Sequence, residues 1–339
     1  MDAQSPRVSV LMPIRNVSET LAETLTSIAC QTYHDFEIVL VDDGSCDGSV
    51  LLARKLWLGS QTLQIERFDE SRGIVSALNR GLSIANGEFI ARMDGDDIMF
   101  PERLASQVDW LDNHADHAIV GSRIETFTDS TITEGTQRYE HWLNGLILHE
   151  DLSREIFVES PLAHPSVMFR KDSIQALGGY EDHGWPEDYD LWLRAYLAGL
   201  RFGKVDELLL RWRDSPNRAS RVQGMYSAQA FMKCRLHYLC LGPLNGIDEL
   251  LIWGAGTGGT KVAQVLEKKA KRIVAFVDIS PRKIGGVKRG VPIIHMDELS
   301  KYQGFPILAA VGNWGARELI RDALNEMNYI EAKDYWCIA

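Results

Sequence analysis

The chain has 339 residues, 45% of them hydrophobic and 24% charged, and a formal net charge of −11. That length exceeds one ordinary core and suits two domains. The excess of acid argues against non-specific nucleic-acid binding, which needs basic surface, although a metal can still supply local positive charge to a phosphate-bearing substrate. The start, Met1 to Pro6, has neither a basic run nor an apolar core of signal length, and no segment approaches the roughly 18–20 apolar residues of a membrane-spanning helix. A cytoplasmic protein is expected, at most peripheral at the inner membrane face. The five cysteines, Cys30, Cys46, Cys234, Cys240 and Cys337, are an odd count with no CxxC pair. They read as reduced thiols and not as a disulfide framework or zinc site.

In chain order, Val8–Met12 is an apolar strand stopped by Pro13, and Leu21, Leu25 and Ile28 mark one face of the helix that follows. Phe36–Val41 is a second buried strand running into Asp42-Asp43-Gly44-Ser45. A helix over Ser49–Leu58, a strand over Gln64–Phe68 and a helix over Gly73–Ala85 come next, the last stopped by Asn86-Gly87. Phe89–Met93 is a strand that delivers Asp94, Asp96 and Asp97 into a turn. The alternation predicts a mostly parallel sheet with helices on both faces, and ligands then sit beyond the carboxyl ends of the strands.

Residues 125–160 are less periodic; Trp142, Leu146, Ile147 and Leu148 suggest a helix on the acceptor side. Pro165–Arg170 reads as a strand, Leu177-Gly178-Gly179-Tyr180 as a turn, Asp188–Leu200 as a helix and Leu208–Arg213 as a closing strand. Residues 1–222 form the first domain, 223–245 a helical connector and 246–339 a second domain. That domain opens with a strand, Glu249–Trp253, then Gly254-Ala255-Gly256-Thr257-Gly258-Gly259 at the start of a helix. Ile273–Asp278 and Ile307–Val311 are further strands, the latter ending in Gly312-Asn313-Trp314-Gly315.

Carboxylates crowded as in Asp94-Gly95-Asp96-Asp97 repel one another unless solvated or gathered around a hard divalent cation, which takes oxygen ligands and bridges phosphates. Gly95 would let the phosphates approach. With the turns after Val8–Met12 and Phe36–Val41 and the second acidic cluster, Glu187-Asp188-Tyr189-Asp190, the pattern resembles a family 2, GT-A-type glycosyltransferase over residues 5–225. The resemblance implies inverting transfer from a nucleotide-sugar, by default a UDP-sugar, to a glycan or lipid-linked acceptor in surface polysaccharide synthesis. It implies that Asp96 ligates Mg²⁺ or Mn²⁺ and that Asp94 contacts the metal or the donor ribose. Asp43, at a strand end, can accept the imide N–H of uracil or thymine; as an ordinary turn residue it would cap its own loop. Pro13 and Arg15 would flank the base and ribose, and Arg72 would reach the base carbonyl or the phosphates. Asp188 is carried over as general base, with Glu187 orienting it.

One departure from the family matters. Relatives carry a histidine late in this domain, where this chain has Arg213. An arginine cannot ligate a cation but pairs with phosphate in fork geometry. Arg211, Arg213 and Arg218 are thus diphosphate or acceptor-loop contacts, or a solvated basic loop. His164 faces the site or is structural.

Gly254, Gly256 and Gly259 after a strand, with Asp278 ending the next, match a dinucleotide fingerprint in a small Rossmann-like unit. The unit also resembles the nucleotide-sugar-binding domain of certain sugar acyltransferases. A nucleotide-sugar or NAD is one reading, and a docking or dimerisation module the other. Two alternatives to the transferase stand: a sugar-nucleotide oxidoreductase, which lacks a catalytic pattern here, and a nucleotide-sugar sensor, which the intact Glu187-Asp188 disfavours.

Overall fold

The computed structural model describes residues 5–128, 130–215 and 224–339. The chain divides into two compact units: Met1–Ser153 with Pro161–Gln223, and Arg154–Ser160 with Gly224–Ala339. The second unit therefore takes in the helix expected as a connector, Ala228–Leu241, and a short segment from the middle of the chain. Among the described residues no helix is long and apolar enough to cross a membrane.

The first unit is built on an eight-stranded sheet. Strands β1 (Val8–Ile14), β2 (Phe36–Asp42), β3 (Leu63–Arg67) and β4 (Phe89–Arg92) are parallel and lie in the order β3-β2-β1-β4. β1 and β2 are buried along almost their whole length, as a sheet covered on both faces requires. Helices α1 (Leu21–Ala29), α2 (Ser49–Leu56) and α3 (Ile74–Ile84) are the crossovers. The strand order reverses between β1 and β4, which opens a crevice at their carboxyl ends.

Beyond β4 the sheet continues through β7 (Met168–Arg170), β6 (His117–Phe127), β8 (Arg201–Arg213) and the two-residue β5 (Ile98–Met99). β7 is antiparallel to β4 and β6, and β5 to β8. Here the chain departs from expectation. The segment Pro165–Arg170 is a strand only from Met168, because His164–Ser166 forms a 3-10 turn around Pro165. The closing strand begins at Arg201, not Leu208, and pairs in parallel with β6, which the sequence reading did not find. β6 carries Gly121, Ser122, Arg123 and Glu125, and that polar content hides the strand. Two helices, α4 (Arg103–Asn113) and α5 (Glu134–Gly145), flank β6 in sequence. Two short ones follow, α6 (His149–Glu155) and α7 (Lys171–Ala176), and α8 (Glu187–Leu197) carries the second acidic cluster.

The second unit holds a six-stranded sheet. Five strands are parallel: β12 (Val291–Ile294), β10 (Arg272–Val277), β9 (Glu249–Trp253), β13 (Ile307–Ala309) and β14 (Tyr335–Cys337), in that spatial order. Strand β11 (Val287–Lys288) is antiparallel at the edge. Helices α9 (Ala228–Leu241), α10 (Thr257–Glu267) and α11 (Ala316–Glu326) complete the unit. Its core includes Val158 from the mid-chain segment, and buried Glu155 is paired with Arg317 at 2.6 Å and Arg321 at 2.7 Å. The five cysteines are free, Cys234 and Cys337 buried and Cys30 and Cys46 exposed.

Candidate active site

The site is assembled from three loops at the carboxyl edge of the first sheet and from the start of α8. The β1 and β2 loops are laced together. Asn16, in the left-handed region at φ 52°, accepts the Cys46 N–H on its side-chain oxygen at 2.9 Å, and its own N–H donates to Ser45 Oγ at 2.8 Å. Pro13 is half-buried in this arrangement and Arg15 is exposed. Asp43 is buried at the end of β2. Its Oδ1 accepts the Arg72 N–H at 2.6 Å, and its Oδ2 accepts from Ser71 Oγ at 2.6 Å and the Gly73 N–H at 3.1 Å. The carboxylate thus fixes the loop that presents Arg72, whose guanidinium lies 4.8 Å over the Phe68 ring and remains exposed.

The acidic turn follows β4. Carboxylate oxygens of Asp94, Asp96 and Asp97 lie within 4.8 Å of one another. Thr20 and Thr24 of the α1 start donate to the carbonyls of Gly95 and Asp97 at 3.0 and 2.8 Å. Gly95 has a packing reason as well as the open approach expected of it: a Cβ there would stand 3.0 Å from Ile14 Cγ2 and 3.1 Å from Val17 Cγ2. The set of hard oxygen donors, gathered by backbone and threonine contacts rather than dispersed, fits a divalent cation.

Arg213 sits against this turn. Its backbone N–H donates to Asp97 Oδ1 at 2.7 Å, its Nε to the Asp96 carbonyl at 2.7 Å, and it pairs with Glu23 and covers the Phe127 ring at 4.4 Å. Arg211 is paired with Glu125 at 3.0 Å and also covers Phe127. Arg213 is thus bonded to the turn and Arg211 to Glu125 of β6, contacts additional to the diphosphate, acceptor-loop or solvated-loop roles that the sequence leaves open to them. Arg218 lies outside the described residues.

Glu187 and Asp188 open α8, where the helix dipole favours carboxylates. Glu187 is buried and Asp188 keeps part of its surface open. The Asp188 carboxyl is pushed up to about 8, chiefly by desolvation and then by the charge of Glu187. Asp190 belongs to the scaffold: it accepts from Trp185 Nε1 and Arg194 Nε, each at 2.7 Å, and Arg194 in turn ties down the carbonyls of Leu177 and Gly179. That lattice holds the Gly-Gly-Tyr turn in place.

Two residues that the sequence leaves unassigned or open lie against these acids, one on each side. Arg92, the last residue of β4, is 2% exposed and ion-pairs with Asp94 Oδ1. His164 is buried, with Nδ1 3.5 Å from Glu187 Oε1 and Nε2 2.9 Å from the Tyr180 hydroxyl. Burial first, and Arg92 second, hold the His164 imidazole below the usual histidine range. A charge at the end of the otherwise apolar Phe89-Ile90-Ala91 run was the available signal for Arg92, since arginine is rarely buried without a partner.

In the second unit, Gly254 (φ 120°) and Gly259 are required by packing. A Cβ on Gly254 would meet Val311 Cγ2 at 2.9 Å, and one on Gly259 would meet the Gly254 carbonyl oxygen at 1.9 Å. Gly256 faces open space. Asp278 accepts from the Ala255 N–H at 3.0 Å, the Ser280 N–H at 2.9 Å and Lys283 Nζ at 2.8 Å. It buttresses the glycine turn, and these partners hold it below the usual carboxylate range despite its burial.

Residues 9–178 match the family model described as Glycosyl transferase family 2, and residues 246–334 match one described as C2185-like, N-terminal. EpsE of Bacillus subtilis, a protein named as a glycosyltransferase, is 32% identical over 227 residues, covering 66% of this chain and 78% of that protein. The amylovoran biosynthesis glycosyltransferase AmsE of Erwinia amylovora is 30% identical over 218 residues, 64% of this chain and 79% of its own length. Among solved structures, residues 1–349 of S. aureus TarS in complex with UDP-GlcNAc align with a TM-score of 0.56 at 20% identity, covering 77% of this chain and 71% of that one. The first unit has the GT-A fold, and the chain belongs to glycosyl transferase family 2.

Proposed function

We propose that the chain transfers a sugar with inversion from a nucleoside-diphosphate donor, a UDP-sugar in the first instance, to a hydroxyl of a glycan or lipid-linked acceptor in surface polysaccharide synthesis. One observation carries this reading. The Asp94–Asp97 turn gathers three carboxylates within 4.8 Å of one another with buried Arg92 ion-paired to Asp94, and the Glu187–Asp188 pair opens α8, where the charge of Arg92 also acts on it. One acidic group suits a metal-diphosphate and the other suits a proton acceptor.

Asp96 and Asp94 would hold Mg²⁺ or Mn²⁺. Bound there, the cation supplies positive charge to the leaving diphosphate. Pro13, Arg15, Asp43 and Arg72 line the nucleoside side, with Asp43 acting through the loop it anchors. Arg213 acts on the donor side by bracing the turn. Asp188, with its raised proton affinity, takes the proton of the acceptor hydroxyl, and buried Glu187 orients it. A single in-line displacement needs no covalent enzyme intermediate.

The names of relatives support the finer points. TarS was crystallised with UDP-GlcNAc, and a Pyrobaculum calidifontis mannosyltransferase of TM-score 0.50 with GDP-Man and Mn²⁺. An Escherichia coli relative, 27% identical, is named as a galactosyltransferase acting on a diphosphoundecaprenol-linked sugar. Such an acceptor would draw the enzyme to the inner membrane face. The second unit reads as Rossmann-like from its parallel strand order, and its ligand, if a nucleotide-sugar or NAD, would meet the glycine turn at Gly256. Family membership favours transfer over the oxidoreductase alternative.

The test is turnover of labelled UDP-, dTDP- and GDP-sugars with Mn²⁺, with and without NAD. Sugar transfer or slow donor hydrolysis that stops in EDTA is expected. NAD-dependent oxidation without transfer would overturn the reading.

A further inference from the structure

The segment Arg154–Ser160 belongs to the second unit, and the chain returns to the first at Pro161. A buried carboxylate is tolerated only where opposite charge compensates it, and Glu155, 2% exposed, has such charge twice over. It pairs with Arg317 at 2.6 Å and Arg321 at 2.7 Å, one helical turn apart on α11. Arg321 is held in turn by Glu331 at 2.9 Å, and Arg317 donates to the Ala339 carbonyl at 3.2 Å. Arg235 of α9 donates to the carbonyl of Val158, and to that of Ile338 at 2.8 Å. The segment is thus seated by charge and by backbone bonds as well as by its apolar side chains. Only Pro161, Leu162 and Ala163, all buried, separate it from His164. Proline fixes one backbone dihedral of that link. Leu162 fits against Gly121, where a Cβ would stand 2.8 Å from Leu162 Cδ2. The Ala163 carbonyl accepts both the Ser166 N–H at 2.9 Å and Ser166 Oγ at 2.7 Å. His164 then meets Glu187 at 3.5 Å and the Tyr180 hydroxyl at 2.9 Å.

We propose that Glu155 is a positioning residue for transfer: seated by Arg317 and Arg321, it holds the 154–160 segment so that His164 keeps its place against Glu187. The second unit then contributes to catalysis through this segment, independently of any ligand at its glycine turn. The kinetic half of the inference rests on the proposed transferase site. A link this short and this constrained has little slack to absorb a displaced segment. Displacing a catalytic group by about 1 Å can cost on the order of a hundredfold in rate, so loosening His164 beneath Glu187 should be felt in turnover.

The experiment uses the full chain, two readouts and a control. The variants are Glu155→Gln and the milder Arg317→Met, which leaves Arg321 and Glu331 in place and carries the test if the first does not fold. The control is Leu324→Ala, which opens the same core without removing a partner of Glu155. The first readout needs no substrate: hydrogen exchange of the ligand-free protein, well below every melting temperature. The amides of Ser166 and Val167 close the turn at His164. In both variants they should exchange at least about tenfold faster than in wild type, as local opening becomes easier, while β1 is unchanged. The control should leave them as in wild type. The second readout is kinetic. Both variants should lower kcat at least about tenfold, with calorimetric affinity for UDP with Mn²⁺ moving much less, and the control should keep kcat. Unchanged exchange at Ser166 and Val167, a kcat close to wild type in the variants, or equal effects in Leu324→Ala would overturn the inference. A wild-type chain that turns over no nucleotide-sugar would instead sink the transferase reading, and the exchange measurement would still decide whether Glu155 holds the His164 turn.

Discussion

Arg213 donates its backbone N–H to the Asp97 carboxylate and its Nε to the Asp96 carbonyl, both at 2.7 Å, so one strand residue grips two consecutive residues of the acidic turn. The turn's geometry is therefore held from β8, far along the chain. Arg213→Met should lower the melting temperature of the ligand-free protein by several degrees, since a hydrogen bond to a charged group contributes about 1.5–3 kcal/mol. UDP–Mn²⁺ affinity should fall as well. An unchanged ligand-free melt with weakened UDP binding would return Arg213 to the role of direct diphosphate contact.

Asp96→Ala should abolish transfer while the far-ultraviolet circular dichroism and melting curve stay close to wild type. Asp96 is only half-buried at a turn and its carbonyl, not its carboxylate, takes the Arg213 bond. Activity that persists in EDTA, or in this variant, would remove the metal from the reading.

Asp188→Asn should reduce kcat by about 10²–10⁴, the usual scale of general-base catalysis, with donor affinity nearly intact. The pH dependence follows from a carboxyl pushed from 3.8 up to about 8. Catalysis needs the ionised form, so kcat/KM should rise with pH toward that value and level off above it. Stability runs the other way. The folded protein holds this proton more tightly than the unfolded chain, so stability declines as pH rises between the two values. The asparagine variant escapes that decline, and its melting temperature relative to wild type should increase from pH 5 to pH 8. A constant difference across that range would place the raised carboxyl elsewhere, with Glu187 the next residue to test.

In the second unit the three glycines should separate. Gly254→Ala and Gly259→Ala must displace backbone or Val311 and should destabilise the unit, while Gly256→Ala meets nothing within 4 Å and should leave the melting temperature unchanged. Gly256→Val is then a clean probe of ligand binding. If it suppresses a calorimetric response to a UDP-sugar, dTDP-sugar or NAD without shifting the melt, the turn is a ligand site. No response in the wild-type protein leaves the packing role alone.

Residues 246–339 by themselves should not give a cooperative melt. The core they need includes Val158, and Arg235 of α9 donates to the carbonyls of Val158 and Ile338. A sharp transition in that fragment would show the mid-chain segment to be dispensable.

The local signals of this chain were strong where chemistry and packing coincide in a few consecutive residues. Val8–Met12, Phe36–Val41 and Phe89–Met93 are unbroken apolar runs ending in polar turns, so the parallel half of the sheet and the edge carrying Asp43, Asp94 and Asp96 were legible from periodicity and turn chemistry alone. The same holds for the glycine turn after Glu249–Trp253. Strand β6 was not legible because its polar residues break the apolar pattern, and residues 154–160 gave no sign that they complete the second core, since core membership depends on neighbours distant in sequence. The roles of single side chains were also decided in three dimensions. Asp190 looks like a third acid of the active cluster until Trp185 and Arg194 are seen bonded to its two oxygens. Arg213 reads from the sequence as a phosphate or acceptor-loop contact, and only the fold shows that it is also bonded to the acidic turn. Arg92 and His164 gain meaning only when β4, the Pro165 turn and α8 converge. A carboxylate's or guanidinium's function is set by which opposite charges lie within a few ångströms and how much water is excluded, and neither quantity exists until the chain has folded.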